Sequence, residues 1–252
     1  MKAFPIGEVW GGVMMSIGKD AMQDLAAATS RFAAEVTDPK ASIITTFGYL
    51  LAQPLVSTLL FYDGPTPPDG IFNDFLAAPA IERDLKTRDF LSLVQASPAN
   101  ATAGIRGTFN TLSFQEITPG ILDAVMKEVE LTTHQYWGEE LLLKSGVFIA
   151  YAVQPLLENI LTKGPYTTAY PASRSMRFLP SDIYFTWTLE FWDDDLNAAI
   201  RKTTANLVDA AIADGQTGVA SAPLYPNYAI SDVPLKRMYG NNLNKLRAIR
   251  AR

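Results

Sequence analysis

Apolar and polar residues alternate along this chain with two periods, and the switches between them lay out an irregular mix of strands and helices. Glu8–Ser16 reads as a first strand. Lys19–Val36 carries Met22, Leu25, Ala26, Phe32 and Val36 at helical spacing, with Gly18 before it and Asp38-Pro39 after it as punctuation. Ser42–Leu51 and Leu55–Tyr62 are β-rich runs parted by Pro54, which predicts antiparallel neighbours. Asp63–Gly70 is a loop, followed by short helices at Ile71–Leu76 and Asp89–Gln95. Ile105–Gln115 reads as a strand. Thr118 then caps a helix reaching Tyr136, with Pro119 in its first turn. Val147–Val153 reads as a strand, Asn159–Arg177 as turns, Asp194–Ala213 as a long helix and Asn242–Arg252 as a terminal one. This irregular order predicts an α+β fold rather than a doubly wound one.

The clearest alternation lies between these last elements. Ile183, Phe185, Trp187, Leu189 and Phe191 are predicted to face a hydrophobic layer, and Asp182, Tyr184, Thr186, Thr188 and Glu190 a wetted or ligand-facing surface.

Composition narrows the chemistry. At 252 residues and 48% apolar content, one large domain with a substantial core is expected, and a disordered chain is excluded. A net charge of -5 argues against a nucleic-acid partner, which would need an excess of Lys and Arg. There is no cysteine and one histidine, so thiolate chemistry and imidazole-rich metal sites are excluded, and no metal is expected. His134 reads as a surface residue near a helix C-terminus. Asp193–Asp195 read as helix-capping carboxylates and not as a cation loop. No basic-then-apolar leader is visible and no run approaches the ~20 apolar residues of a membrane span, so a cytoplasmic chain with no membrane span is expected. Glycine-rich phosphate motifs are absent, and nothing here would hold a dinucleotide's phosphates.

Three segments stand apart: Leu224-Tyr-Pro-Asn-Tyr228, then Lys236-Arg-Met-Tyr-Gly-Asn241, then Leu243-Asn-Lys-Leu-Arg247. In that order and spacing they resemble the end of the fungal berberine bridge enzyme-like FAD-linked oxidases. Val9-Trp-Gly-Gly12, Asp38-Pro-Lys-Ala41 and Tyr170-Pro-Ala-Ser-Arg174 are similar to other segments of that family, so the resemblance spans essentially the whole chain. It implies one domain, a large antiparallel sheet of about seven strands, with helices covering one face and the other looking onto flavin and substrate. Family members carry an FAD-binding domain before the V-W-G-G strand and return to it after the last helix. The resemblance therefore implies the substrate half alone.

Carried over residue by residue, Tyr225 matches the first tyrosine of Y-x-N-Y, in several relatives the base that deprotonates a substrate hydroxyl. Asn227 matches the Asn that contacts flavin or orders the loop. Where relatives pair this tyrosine with a carboxylate, the partner sits on a central strand. The best matching strand here, Val147–Val153, has no acid, and Tyr151 and Gln154 are its polar candidates.

The expected catalytic residues are Tyr225 and Tyr151, with Tyr184, Thr186, Thr188, Glu190, Asn227 and Tyr228 binding a small natural-product substrate. The Tyr225 hydroxyl is expected in the largest pocket. The leading expectation is a flavin-free enzyme of secondary metabolism that needs no cofactor and promotes cyclisation, isomerisation or dehydration. The alternatives are the substrate-binding part of an FAD-dependent oxidoreductase and a non-catalytic binder. For the face left by the FAD domain, either a homodimer that covers it or a ligand-filled groove with loops folded over it is expected.

Overall fold

The structure, a computed structural model, describes residues 6–97, 102–137, 145–157, 168–170 and 177–252. Seven strands form one antiparallel sheet: β1 (Val9–Ile17), β2 (Ala41–Leu50), β3 (Gln53–Tyr62), β4 (Glu82–Arg88), β5 (Arg106–Phe114), β6 (Gly146–Val153) and β7 (Leu179–Trp187). Their spatial order is β4-β1-β3-β2-β6-β7-β5. The helices are α1 (Lys19–Glu35), α2 (Asn73–Ala77), α3 (Phe90–Gln95), α4 (Pro119–Trp137), α5 (Asp193–Ala213), α6 (Leu235–Tyr239) and α7 (Leu243–Arg250). The fold is α+β.

Strand periodicity divides the sheet into two faces. Met14, Ile43, Phe47, Val56, Leu60, Ile149, Leu179, Ile183 and Phe185 are buried and form a core with α1, α4 and α5. Each helix contributes an apolar stripe, such as Leu25 and Phe32 of α1, Val125 and Val129 of α4, and Ile200 and Leu207 of α5. Residues between them in sequence form the opposite face. Register places Gly48 beside Ala150, Ala150 beside Tyr184, and Ala152 beside Asp182. Short α3 packs on β1 at this second face, where Phe90 meets Phe61 edge-on.

Two glycines explain the V-W-G-G run. A Cβ on Gly11 would lie 2.1 Å from the Leu60 carbonyl oxygen, and one on Gly12 would lie 1.8 Å from that of Asp84. β1 passes so close to both neighbouring strands that only glycine fits. Trp10, just before them, stacks on Phe72, which stacks in turn on Phe32 of α1.

Several expectations change. β7 ends at Trp187, because Glu190–Trp192 turns into a short 3-10 helix that leads into α5. Leu189 and Phe191 are therefore exposed and not core, Phe191 at 81%. β4 was not anticipated: Glu82-Arg-Asp-Leu-Lys-Thr-Arg88 is too polar to read as a strand, yet an edge strand gains from charge because it blocks further pairing. Thr118 does cap α4, accepting from the Ile121 N–H at 3.1 Å. Asp193 does not cap α5 with its side chain. Its carboxylate binds Arg106 in a two-pronged pair and accepts from the Trp187 indole N–H at 2.7 Å.

Tyr151 is also corrected. Strand alternation turns it to the helix side, where it is 1% exposed. Thr203 donates to the Glu128 carboxylate at 2.8 Å, so it accepts from the Tyr151 hydroxyl, also at 2.8 Å, and Thr132 completes the chain by donating to Tyr151 at 3.0 Å. Burial pushes the Tyr151 phenol far above its ordinary range, so it stays protonated and structural. Tyr151→Phe should lower stability by about 1–3 kcal/mol, the cost of leaving a buried partner unsatisfied. Urea unfolding measures this, and an unchanged midpoint would show that the chain of hydroxyls contributes nothing.

Candidate functional site

The face opposite the helices meets the C-terminal loop at one end of the sheet. Tyr225-Pro-Asn-Tyr228 is a β-turn there, closed by the Tyr228 N–H on the Tyr225 carbonyl at 3.1 Å. Pro226 at the second position and Asn227 at the third are the residues such a turn favours. The loop is held on both sides. Leu224 donates its N–H to the Arg237 carbonyl at 3.0 Å, and the Ser113 hydroxyl of β5 donates to the Pro223 carbonyl at 2.8 Å.

The turn sets two tyrosines against each other and against a third. Tyr225 and Tyr228 meet edge-to-face with ring centroids 4.9 Å apart, and Tyr170 lies 5.3 Å from Tyr225. The 168–170 segment is held by Asn242, whose amide donates to the Thr168 carbonyl at 2.9 Å. This gives the C-terminal basic segment a structural role, since Asn242 stands where α7 begins. The remainder of the Tyr170–Arg174 motif lies outside the described residues.

Each phenol of the turn accepts from a carboxamide. Asn227 donates to the Tyr225 hydroxyl at 3.0 Å. Gln154, one residue beyond β6, donates to the Tyr228 hydroxyl at 3.1 Å. A hydroxyl that accepts a bond keeps its own proton to donate elsewhere. On β7, Asp182 shares the face of Ala152 and Gln154. Burial pushes its carboxyl up to about 6, against a smaller opposing pull from the Gln154 hydrogen bond. Burial also raises Tyr228, and the Asp182 charge adds to that rise. Burial, with Tyr225 alongside, lifts Tyr170 to about 12. The result is a carboxyl that titrates near neutral pH beside phenols that remain protonated, an arrangement suited to proton transfer.

The predicted site residues separate into groups. Tyr225, Asn227 and Tyr228 come together as expected. Tyr184 lies on the same face two residues from Asp182, about 7 Å along the strand; it stacks on Phe109 at 4.0 Å and donates to Thr102 at 3.0 Å. Thr186 is buried below that aromatic pair, with its hydroxyl directed at the Phe148 carbonyl. Thr188 and Glu190 lie past the end of β7, exposed at the opposite end of the sheet from Tyr225. Tyr151 is on the wrong face altogether.

A cavity of about 590 Å³ lies elsewhere, between β5 and α5. Gly107, Phe109, Asn197, Arg201 and Asn227 help line it, and Tyr225 does not. Asp182 and Gln154 were within reach of sequence reasoning. Asp182 opened the polar face of the strongest alternation, but the partner carboxylate was sought on β6, one strand away. Among the described residues no cluster of three or more metal-ligating side chains occurs, and no helix is long and apolar enough to cross a membrane.

No family model matches the chain. It is similar to an uncharacterized FAD-linked oxidoreductase of Arthroderma benhamiae, 27% identical over 230 residues, covering 87% of this chain and 44% of that protein. It is also similar to oligopeptidase PhomG' of Diaporthe leptostromiformis, 24% identical over 239 residues, covering 92% of this chain but 19% of that protein. The chain thus spans less than half the length of the curated relatives it matches.

Among solved structures it is similar to the Physcomitrella patens BBE-like 1 protein, with a TM-score of 0.61 and 13% identity, covering 96% of this chain and 50% of that one. A glycopeptide hexose oxidase complexed with teicoplanin gives 0.63 and 15%, covering 98% and 53%. At such identities the likeness shows the fold. The expected resemblance to berberine bridge enzyme-like, FAD-linked oxidases is shown, and it concerns about half of such a protein.

Asp182 also sets a pH dependence. Its folded pKa of about 6 lies above the ordinary value of 3.8. The protonated form is therefore favoured in the fold, and the associated stability is fully present below about pH 4 and lost as pH rises through 6. The difference of about two pH units corresponds to roughly 3 kcal/mol at most. Asp182→Asn should be more stable than the natural protein at pH 8 by up to that amount and nearly equal to it at pH 4. Urea titrations at the two pH values check this, and a pH-independent difference would place the titration elsewhere.

Proposed function

We propose that this chain is the substrate-side part of an FAD-linked oxidoreductase acting on a hydroxyl-bearing small molecule. The observation that carries the reading is the cluster of Asp182, Gln154, Tyr225 and Tyr228 at one end of the face opposite the helices, with the Asp182 carboxyl pushed up by burial to about 6. The similarity to FAD-linked oxidoreductases supports this alternative over flavin-free cyclisation, for which no observation speaks.

The residues present fit one end of a flavin. Gly48, Ala150 and Ala152 form a run of small, buried residues in register across β2 and β6, bordered by Gln154, Asp182 and Tyr184. The rim of amides and phenols suits the polar edge of the ring. The described residues offer no glycine-rich phosphate cradle, so the dinucleotide would be held by other protein. A bound flavin would supply a hydride acceptor.

The chain's own residues handle the proton. Asp182 as carboxylate would accept the proton of a substrate hydroxyl. Tyr225 and Tyr228, with their hydroxyl oxygens occupied by Asn227 and Gln154, would donate hydrogen bonds that orient that hydroxyl or hold the product oxygen. Asn227 and Pro226 keep the turn stiff, so the donors are positioned before substrate arrives.

The test is anaerobic. With flavin at saturating concentration, free or on a flavin-binding domain, a responsive alcohol should bleach the visible flavin band. Asp182→Asn should slow that bleaching by about 10²-fold or more, the scale of a lost general base. An undiminished rate would remove Asp182 from the chemistry. Conversion of a substrate to a cyclised product without bleaching would favour the cofactor-free reading.

A further inference from the structure

Gln154, a polar candidate of the β6 segment but not one of the expected catalytic or binding residues, connects the two halves of the site. β6 ends at Val153, and Gln154 extends the face of Ala150 and Ala152 just beyond it. Across the β6–β7 ladder Ala152 faces Asp182, and the Gln154 side chain, two residues on along the same face, acts on the Asp182 carboxyl as a hydrogen-bond donor. On its other side the Gln154 amide reaches the Tyr228 hydroxyl, 74 residues away in sequence, at 3.1 Å.

A carboxamide presents two N–H donors and an oxygen acceptor at its tip. It can donate to a carboxylate, and after rotation accept from a carboxylic acid. Either choice fixes what remains for Tyr228. The charged or titratable groups that act on Tyr228 are Asp182 and Tyr225, and Asp182 is acted on by burial and the Gln154 amide; no lysine or arginine among the described residues acts on either. The amide is thus the main polar link between carboxyl and phenol.

We propose that Gln154 is the positioning residue of this cluster, a hydrogen-bond bridge that makes the Tyr228 hydroxyl sense whether Asp182 carries a proton. With Asp182 ionised, the amide N–H groups face both partners and the Tyr228 proton is free for a ligand. With Asp182 protonated, the amide turns its oxygen to the new donor and the Tyr228 bond is remade. The catalytic meaning rests on the oxidoreductase reading, but the bridge itself does not.

The test needs neither flavin nor substrate, so it can fail while that reading stands, and the reverse. The 252-residue chain is labelled at Asp carboxyl and Tyr ζ carbons and titrated by NMR. In the natural protein the Tyr228 resonance should step at the Asp182 midpoint. In Gln154→Met the midpoint should rise by about one pH unit, the scale of a lost hydrogen bond to a charged group, and the Tyr228 step should shrink to less than half. Gln154→Asn, one methylene shorter, should give the same two changes while keeping an amide in place. Circular dichroism confirms that the variants fold. A natural protein with no Tyr228 step at the Asp182 midpoint overturns the proposal, and so does a folded variant with both midpoint and step unchanged. The wild-type step decides if neither variant folds.

Discussion

One buried phenol ties the sheet to its helices. The Tyr151 hydroxyl sits between Thr132 of α4 and Thr203 of α5, and Thr203 passes the chain on to Glu128. Donor and acceptor are matched at every link, as burial requires. Because side chains alternate on a strand, fixing Tyr151 toward the helices also fixes Ala150 and Ala152 toward the other face. A register slip of one residue would bury Gln154 and Asp182 against α5 and expose Phe185. The open face and its chemistry therefore follow from where Tyr151 points.

The open face has an economical construction. Small, buried residues stand at its middle, Gly48, Ala150 and Ala152, while polar and aromatic residues rise at its border. A four-residue turn delivers two phenols to that border, and distant parts of the chain hold the turn in place: Ser113 of β5, Arg237 of α6 and, through the 168–170 segment, Asn242. Burial then does for Asp182 what no charged neighbour does, raising its proton affinity to a useful range.

Much of this was legible in the residues. Amphipathic spacing located α1, α4 and α5 within a residue or two, because a stripe of Leu, Val and Phe at period 3.6 has few other uses. The strands β1, β2, β3 and β6 were equally plain. β4 was hidden, since a charged edge strand lacks the apolar alternation that marks its neighbours. β7 was overextended, because Leu189 and Phe191 continue the alternation although the backbone has already turned at Glu190. The Tyr225–Tyr228 segment stood out in the residues, but its β-turn, which Pro226 and Asn227 favour, did not. The face of Tyr151 was not legible. A tyrosine in a mostly apolar strand is compatible with either side, and only the threonines of two helices, 19 and 52 residues away, decide it. Asp182 was visible on its polar face, but its pairing with Gln154 depends on which strands adjoin, and that is set by topology.

The central claim is that the face bearing Asp182, Tyr225 and Tyr228 is the one that meets the flavin ring, and that the cavity between β5 and α5 is not. Titration with a flavin ring that lacks the dinucleotide, followed by amide and tyrosine NMR shifts, tests it directly. The account predicts shifts clustered at Ala150, Ala152, Gln154, Tyr184, Tyr225 and Tyr228. Shifts gathered instead at Gly107, Asn197 and Arg201, with the open face unmoved, would contradict it.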